Sequence, residues 1–177
     1  RLETASIEEA VLNAMDKIKG AYSMVMMAPS RLIGVRDPRG FRPLCIGKLG
    51  ENYIITSESC VFDSLGGEFV IDDEGVHSYK NNCGGKTSLC LFEFVYFARP
   101  DSVLDGMCVN IARQRAGIEL AKEHPVEADM VCAVPDCGID AAIGYSMQSG
   151  IQYGVGLVKN RFIGRAHNNR KKHAQYN

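Results

Sequence analysis

Apolar residues near the start of the chain recur at the spacing of an α-helix. One face of this helix consists of Ile7, Ala10, Val11, Ala14, Met15 and Ile18. Ser6 and Glu9 have the spacing of a capping box, in which a serine hydroxyl accepts from the N–H three residues later. Gly20 can take the left-handed conformation that often ends a helix. The pattern therefore predicts a helix that starts at Ile7 and ends before Gly20.

Shorter apolar segments, separated by turn residues, follow this helix and predict β-strands. The predicted strands cover residues 21–28, 31–35, 44–47 and 53–56, with a hairpin formed by residues 70–71 and 76–79. Asp37-Pro38-Arg39-Gly40 has the residues of a tight turn in their preferred order. The methionines of the first strand are predicted to fill the core. Residues 57–65 predict a short helix, so this half should form a sheet with helices packed on it.

The most aromatic stretch of the chain follows Cys90. Its β-branched and aromatic residues favour a buried strand over residues 91–98. Glu93 is the one charge inside this stretch, and a buried carboxylate needs a partner. Pro100 cannot donate a ladder hydrogen bond and is predicted to end the strand. Because the segments before and after differ in type, residues 90–102 are predicted to join two domains.

A longer helix is predicted after this junction. Its apolar face consists of Val109, Ala112, Ala116 and Leu120. On this assignment Arg113 and Arg115 point outward. His124 precedes a proline and therefore avoids helical backbone, which ends the helix.

The remaining segments alternate between strand and helix. Residues 129–134 and 151–158 predict two buried strands, separated by a tight turn at 135–138 and a helix at 139–149. A strand–helix–strand unit has parallel strands and a right-handed crossover. Ligands of such sheets bind beyond the carboxyl ends of the strands. Those ends are residues 135–138 and 159–165.

Composition and charge describe an ordinary globular chain of 177 residues. Hydrophobic residues make up 46% and charged residues 23%, and the net charge is −1. This balance gives no reason to expect binding to nucleic acid or to an anionic membrane. No apolar run approaches the ~20 residues that span a bilayer. The seven cysteines are expected to be reduced thiols of a cytoplasmic protein, since we find no export signal.

Both carboxyl ends have residues suited to an anion. In Pro135-Asp136-Cys137-Gly138, glycine would let backbone N–H groups approach a phosphate at a helix N-terminus. Lys159, Arg161 and Arg165 would bind a polyanion through charge-assisted hydrogen bonds. As bare patterns both are weak. An ordinary turn explains the first better, and a solvated basic loop explains the second equally well.

The last residues have a different character. Residues 166–177 are polar and basic without an apolar period, and they are predicted to be disordered. His167 and His173 are the metal-ligating types there, but a flexible tail is the preferred interpretation.

Several motifs, in order along the chain, resemble the amidophosphoribosyltransferase family, also called glutamine phosphoribosylpyrophosphate amidotransferases. These are GGKTSLC at residues 84–90, FEFVYFARPDS at 92–102, PDCG at 135–138 and KNRFIGR at 159–165. RDPRGFRPL at 36–44 and SES at 57–59 resemble the latter half of the family's glutaminase domain. For Arg36, Asp37 and Arg42 a salt-bridged turn is preferred to direct substrate contact.

The resemblance implies an α+β fold followed by an α/β fold. Residues 1–89 correspond to the C-terminal half of an N-terminal-nucleophile αββα glutaminase sandwich, the type 2 glutamine amidotransferase domain. Residues 90–165 correspond to the start of a type I phosphoribosyltransferase domain with its first βαβ unit. Residues 166–177 lie outside the resemblance.

The resemblance also implies binding residues. The positions that would contact phosphoribosylpyrophosphate are Asp136, Gly138, Lys159, Arg161 and Arg165. Cys137 takes the place of a family serine at the Mg²⁺–pyrophosphate site, where a thiol is a poor ligand. No catalytic residue is expected within the chain, because the family's nucleophile is an N-terminal cysteine, expected to precede Arg1 in a longer protein.

Cys90 matches a cysteine that, in part of the family, ligates a [4Fe–4S] cluster. Such a cluster takes four thiolates, and the others are expected from a C-terminal region of the family beyond this chain. Without the resemblance, Cys90 is predicted to be a buried thiol.

The function implied for the parent protein is transfer of glutamine-derived ammonia to phosphoribosylpyrophosphate, the first step of purine synthesis. Its expected partners are those two substrates, Mg²⁺ and further copies of itself, with neither nucleic acid nor membrane. One alternative is a non-catalytic chain that binds only subunits or phosphate. A different amidotransferase or a stand-alone phosphoribosyltransferase is another, against which residues 84–102 argue.

Overall fold

The structure is a computed structural model, and it describes residues 6–29, 31–66, 68, 69, 79, 86–160 and 162. The chain divides into two compact units, Arg1–Asn110 and Ile111–Asn177. This division falls later than the junction predicted at Cys90. The assignment of the two halves to particular domains stays a prediction.

The first helix, α1, covers Ile7–Met15. Its predicted start is confirmed, because the Ser6 hydroxyl accepts from the Glu9 N–H at 3.2 Å. The prediction that it extends to just before Gly20 is wrong, because the helix ends at Met15. The N–H groups of Lys17 and Ile18 both donate to the carbonyl of Ala14 at 3.0 Å, which closes the helix in a tight final turn.

Two antiparallel sheets follow in the first unit. Strands β1 (Ser23–Ala28) and β2 (Arg31–Arg36) pair with each other. Strand β3 (Cys45–Leu49) lies between β4 (Asn52–Thr56) and β5 (Glu68–Phe69). The four predicted strands are confirmed to within a few residues. The hairpin predicted over residues 70–79 lies outside the described residues except for Tyr79.

The expectation that β1 is a core strand filled by methionines is wrong at Met27, whose surface is 87% exposed. Burial instead concentrates on β3 and on α2, which covers Cys60–Leu65 and ends at Gly66 in the left-handed conformation. Cys60 and Phe62 of α2 are buried. The predicted short helix is thus confirmed.

The strand predicted over residues 91–98 is wrong, because this stretch is helical. A helical turn leads into a π-helix, Glu93–Phe97, in which the Ala98 N–H donates to the Glu93 carbonyl at 3.0 Å. The aromatic residues suit a pleated surface only where a neighbouring strand packs beside them. Here the backbone is satisfied locally, and Tyr96 and Phe97 remain about half exposed.

The segment after the π-helix returns to the core of the first unit. Strands β6 (Val103–Leu104) and β7 (Met107–Cys108) form a short antiparallel hairpin. The buried cluster beside it consists of Ala98, Leu104 and Val109, with Leu89 and Phe94 packed against them.

Helix α3 covers Val109–Glu123, and its predicted inner face is confirmed at Val109 but is wrong at Ala116 and Leu120. Leu120 is 51% exposed, and Arg113, predicted to point outward, is buried. The buried positions are four residues apart: Val109, Arg113, Gly117 and Ala121. The salt bridge between Arg113 and Asp140, and the close approach of Gly117 to the backbone of Ala141, determine this rotation.

Helix α4 covers Ile139–Ser149 and ends at Gly150, as predicted. The segments around it form a single parallel bridge, between Val131 and Tyr153, rather than full strands. Their parallel direction is confirmed, but their predicted burial is wrong, since Val134 is 70% and Val155 74% exposed. Among the described residues no helix is both long and apolar enough to cross a membrane.

Candidate functional site

The bridge between Val131 and Tyr153 aligns the two segments that carry the predicted anion site. The Val131 N–H donates to the Gln152 carbonyl, and the Gly154 N–H donates to the Val131 carbonyl, both at 2.9 Å. Because the segments are parallel, the turn at 135–138 and Lys159 follow at the same end. The parallel alignment predicted from the βαβ pattern is therefore present in the second unit, although the two segments form a single bridge and not full strands.

The turn at residues 135–138 leads directly into α4. The N–H groups of Gly138 and Ile139 donate within the turn, to the Val134 and Asp136 carbonyls, both at 3.3 Å. A Cβ on Gly138 would meet the Val134 carbonyl oxygen at 2.8 Å, so a side chain there would force the turn to move. Both N–H groups therefore already donate within the turn, through bonds slightly longer than the usual range of about 2.7–3.2 Å for N–H···O contacts.

Asp136 and Lys159 form an ion pair between the turn and the second segment. Lys159 Nζ lies 2.5 Å from Asp136 Oδ2, and the two side chains are 56% and 58% exposed. The structure thus brings together three of the five residues predicted to bind phosphoribosylpyrophosphate, since Gly138 lies in the same turn as Asp136. It also pairs the lysine with a carboxylate, which the sequence pattern did not indicate.

A second charge pair lies behind the turn, at the start of α4. Asp140 is in the first turn of α4, where a carboxylate interacts favourably with the helix dipole. Its Oδ2 lies 3.8 Å from Nη1 of Arg113 on α3, and both side chains are less than a tenth exposed. This buried pair explains why Arg113 turns inward.

Of the other residues predicted for this site, Cys137 is half-buried in the turn. Arg161 and Arg165 lie outside the described residues, as does the tail at 166–177. None of the six described cysteines forms a disulfide.

In the first unit, the RDPRGFRPL motif forms a hydrogen-bonded turn. The buried Asp37 carboxylate accepts from the N–H groups of Arg39 at 3.0 Å and Phe41 at 2.9 Å. The Arg36 guanidinium donates to the carbonyls of Gly40 at 2.7 Å and Arg42 at 2.6 Å. These bonds support the interpretation of Arg36 and Asp37 as turn residues rather than substrate ligands.

Arg42 is the partner that Glu93 was predicted to need. Nη1 of Arg42 lies 2.5 Å from Oε1 of Glu93, whose side chain is only 7% exposed. The guanidinium also lies 4.7 Å from the ring centre of Phe97. The hydrogen bond to Glu93 raises the pKa of Arg42. Ser57 and Glu58 join these three residues around an open cavity of about 520 Å³.

Glu58 anchors the ARPDS segment, a role that sequence reasoning missed. Its Oε2 accepts from the Arg99 N–H at 2.7 Å and from the Ser102 hydroxyl at 2.8 Å. Next to it, the Ser59 hydroxyl accepts from the Val103 N–H at 2.8 Å. Ser102 has no exposed surface. The sequence indicated this anchor only weakly. It has a carboxylate and two hydroxyls in SES, and polar residues that follow the aromatic stretch.

Cys90 is buried, as predicted from its residue type alone, and its N–H donates to the Phe41 carbonyl at 3.0 Å. Within the described part of the chain, no three histidine, cysteine or acidic side chains come together as possible metal ligands.

No protein-family model matches the chain. Curated amidophosphoribosyltransferases do. The protein of Archaeoglobus fulgidus is 47% identical over 174 residues, which cover 90% of this chain and 38% of that protein. The Bacillus subtilis protein is 41% identical over 170 residues, covering 90% of this chain and 36% of that one. The chain thus spans less than half the length of the relatives it matches.

Solved structures agree with these sequence matches. One described as the allosteric regulatory enzyme of purine biosynthesis has a TM-score of 0.84 at 40% identity, covering 94% of this chain and 38% of that one. Another, described as glutamine phosphoribosylpyrophosphate amidotransferase from Bacillus subtilis complexed with ADP and GMP, has a TM-score of 0.83 at 38% identity. It covers 97% of this chain and 41% of that chain. The resemblance found in the sequence is confirmed.

Proposed function

We propose that this chain, whose similarity to amidophosphoribosyltransferases extends over 90% of its length, forms a segment of such an enzyme. The parent protein would release ammonia from glutamine and transfer it to phosphoribosylpyrophosphate. The products are 5-phosphoribosylamine, glutamate and pyrophosphate. The observation that carries the proposal is the 47% identity, supported by the position of PDCG and Lys159 at one end of the parallel segments.

In this proposal two segments of the chain contribute to different halves of the reaction. Residues 1–89 belong to an αββα glutaminase sandwich, where the RDPRGFRPL turn supports the fold around a site formed elsewhere in the parent protein. Residues 90–165 begin a phosphoribosyltransferase domain. There the turn at 135–138 and Lys159 would bind the pyrophosphate group, which leaves as the C1–O bond breaks and ammonia bonds to C1.

The proposed cofactors are Mg²⁺, which would neutralise charge on the pyrophosphate, and a [4Fe–4S] cluster in the parent protein. Cys137 offers sulfur where Mg²⁺ prefers oxygen, and Cys90 supplies at most one of four cluster ligands. We therefore expect the purified chain to form no cluster. Iron and sulfide analysis after anaerobic reconstitution would show four irons per chain if this expectation is wrong.

The decisive experiment transfers the segment into a relative. In a chimera, this chain replaces the matching segment of the Bacillus subtilis protein. We expect phosphoribosylpyrophosphate-dependent release of glutamate and pyrophosphate, and growth of a purine-requiring host. The unaltered relative is the positive control. A folded chimera that hydrolyses glutamine but transfers no ammonia would contradict the proposal.

The second candidate is a non-catalytic chain that binds only subunits or phosphate, which the exposed apolar residues such as Val134 and Val155 favour. For the isolated chain we expect neither glutaminase nor transferase activity. Glutamate release above a no-enzyme control would contradict that expectation.

A further inference from the structure

The ion pair between Asp136 and Lys159 brings two charges of opposite sign to the entrance of the predicted anion site. The carboxylate belongs to the turn that precedes α4, and the ammonium group to the segment after the second bridge residue. Of the three cations in the KNRFIGR motif, Lys159 is the one that lies within the described part of the chain. Its ammonium group lies 2.5 Å from the Asp136 carboxylate, which is an anion of the chain itself.

We propose that Asp136 is a positioning residue that occupies Lys159 until a diphosphate displaces it. The inference rests on the proposed function, because that function makes the turn a pyrophosphate site. The ligand class is a diphosphate, either free or as part of a phosphoribosyl substrate. On binding, the Lys159 ammonium exchanges a carboxylate oxygen for a phosphate oxygen, and no covalent bond changes.

The sign of the effect follows from the exposure of the pair. Both side chains are more than half exposed, so holding Lys159 in place contributes little to preorganisation. Against that small gain stand two terms that oppose the anion. The ion pair must be broken, and the Asp136 carboxylate remains close to the negative charge of the ligand. We expect the repulsion between Asp136 and the ligand, added to the small cost of breaking the pair, to outweigh that gain, so that Asp136 weakens diphosphate binding.

Other charges near the turn do not substitute for this pair. Asp140 and Arg113 are buried and bound to each other behind the turn. Their side chains are only 6% and 9% exposed, so neither charge is accessible to an incoming ligand. Neutralising Asp136 therefore changes the charge that an incoming ligand meets without disturbing the buried pair.

The test is a double-mutant cycle on the isotope-labelled 177-residue chain, titrated with inorganic pyrophosphate and followed by the amide signals of residues 136–139 and 159. Asp136→Asn is expected to tighten binding two- to fivefold, and Lys159→Gln to weaken it. In the Lys159→Gln background, Asp136→Asn is expected to have a smaller effect, because only the repulsion is then removed. Lys159→Arg should retain the coupling.

The matched control is Glu119→Gln, which removes a carboxylate from another exposed ion pair, Glu119–Lys122 at 2.8 Å on α3. It carries the same change in charge and should leave pyrophosphate affinity unchanged. Thermal unfolding of every variant checks that the fold is retained.

The outcomes separate the inference from the proposed function. If the unaltered chain binds pyrophosphate at these amides but Asp136→Asn has no effect, or an equal effect in both Lys159 backgrounds, the positioning role is wrong and the anion site stands. If no variant binds pyrophosphate at these amides, the anion site itself is wrong, and the inference is overturned with it.

Discussion

Gly117 of α3 and Gly144 of α4 allow the two helices to touch backbone to backbone. A Cβ on Gly117 would lie 1.9 Å from the Ala141 carbonyl oxygen. A Cβ on Gly144 would lie 2.0 Å from the Gln114 carbonyl oxygen. The neighbours in both cases are backbone atoms, which cannot move aside as a flexible side chain could. The two helices of the second unit are therefore held at a distance that only glycine permits at these positions.

Gly117→Ala and Gly144→Ala are each expected to destabilise the chain. Alanine favours an isolated helix by about 1 kcal/mol over glycine, which opposes the effect. Overpacking typically costs about 1–3 kcal/mol, and here it requires the helices to separate. We expect urea unfolding, followed by circular dichroism, to show a net loss of roughly 1–2 kcal/mol for each variant. Glu123→Ala, on the exposed face of α3, is the control and should change little; stabilisation by either glycine substitution would contradict the packing.

These glycines show where the sequence pattern was insufficient. The apolar spacing of Val109, Ala112, Ala116 and Leu120 is regular, yet α3 buries Arg113 and Gly117 instead. Helical periodicity predicts burial from the hydrophobicity of side chains alone. It therefore cannot predict burial of a glycine that lets another backbone approach, or of an arginine whose carboxylate partner lies on a different helix. The rotation of α3 depends on Asp140 and Gly144, residues of α4.

Local signals, by contrast, predicted structure well. The Ser6 cap, the turn from Asp37 to Gly40, and the end of α4 at Gly150 each depend on a few adjacent residues, and each is confirmed. Glu93 was correctly predicted to need a partner, although Arg42 could not be identified from spacing alone. The stretch at 91–98 failed because β-propensity depends on neighbouring strands that the local sequence does not specify.

Glu58→Gln is expected to destabilise the ARPDS segment, residues 98–102. The Glu58 carboxylate accepts from the Arg99 N–H and from the hydroxyl of Ser102, which has no exposed surface. Hydrogen bonds to a charged group contribute ~1.5–3 kcal/mol, and an amide retains only part of this. We expect a loss of about 1–2 kcal/mol in unfolding free energy and faster hydrogen exchange at the Arg99 amide. The exposed Glu51→Gln is the control. Unchanged exchange at Arg99 would show that this anchor is not formed in solution.

Cys45 is expected to resist alkylation and to link stability to pH. Burial raises the pKa of its thiol, so the folded state favours the neutral form. A raised pKa leaves full stability below the unfolded thiol's pKa of about 8.5, and stability is lost as pH rises through the folded value. Iodoacetamide should therefore modify exposed Cys132 well before Cys45, as measured by peptide mass spectrometry between pH 7 and pH 9. Cys45→Ala should remove this part of the alkaline loss of stability. Equal alkylation rates for Cys45 and Cys132 would contradict the expected protection of Cys45.

Cys137→Ser is expected to strengthen binding of Mg²⁺ and phosphoribosylpyrophosphate by the chimeric enzyme. The residue lies in the turn at the carboxyl end of the first parallel segment, immediately before Gly138, whose lack of a Cβ keeps the turn close to the Val134 carbonyl. Backbone N–H groups there are the same with either side chain, so the anion-binding part of the turn is unaffected. On the proposed function, the substitution changes the group offered to Mg²⁺, because a hydroxyl is a hard oxygen donor and a thiol is a weak hydrogen-bonding group.

A hydrogen bond to a charged group is worth ~1.5–3 kcal/mol, so serine should tighten binding roughly ten- to a hundredfold. Glutaminase turnover should not change, since Cys137 belongs to the second unit. Titration of both chimeras with phosphoribosylpyrophosphate at several Mg²⁺ concentrations measures the effect. Cys132→Ser, an exposed thiol on the strand side of the turn, is the matched control. If both serine variants bind as tightly as the original, the Cys137 side chain faces away from the metal and the equivalence to the family's serine is wrong.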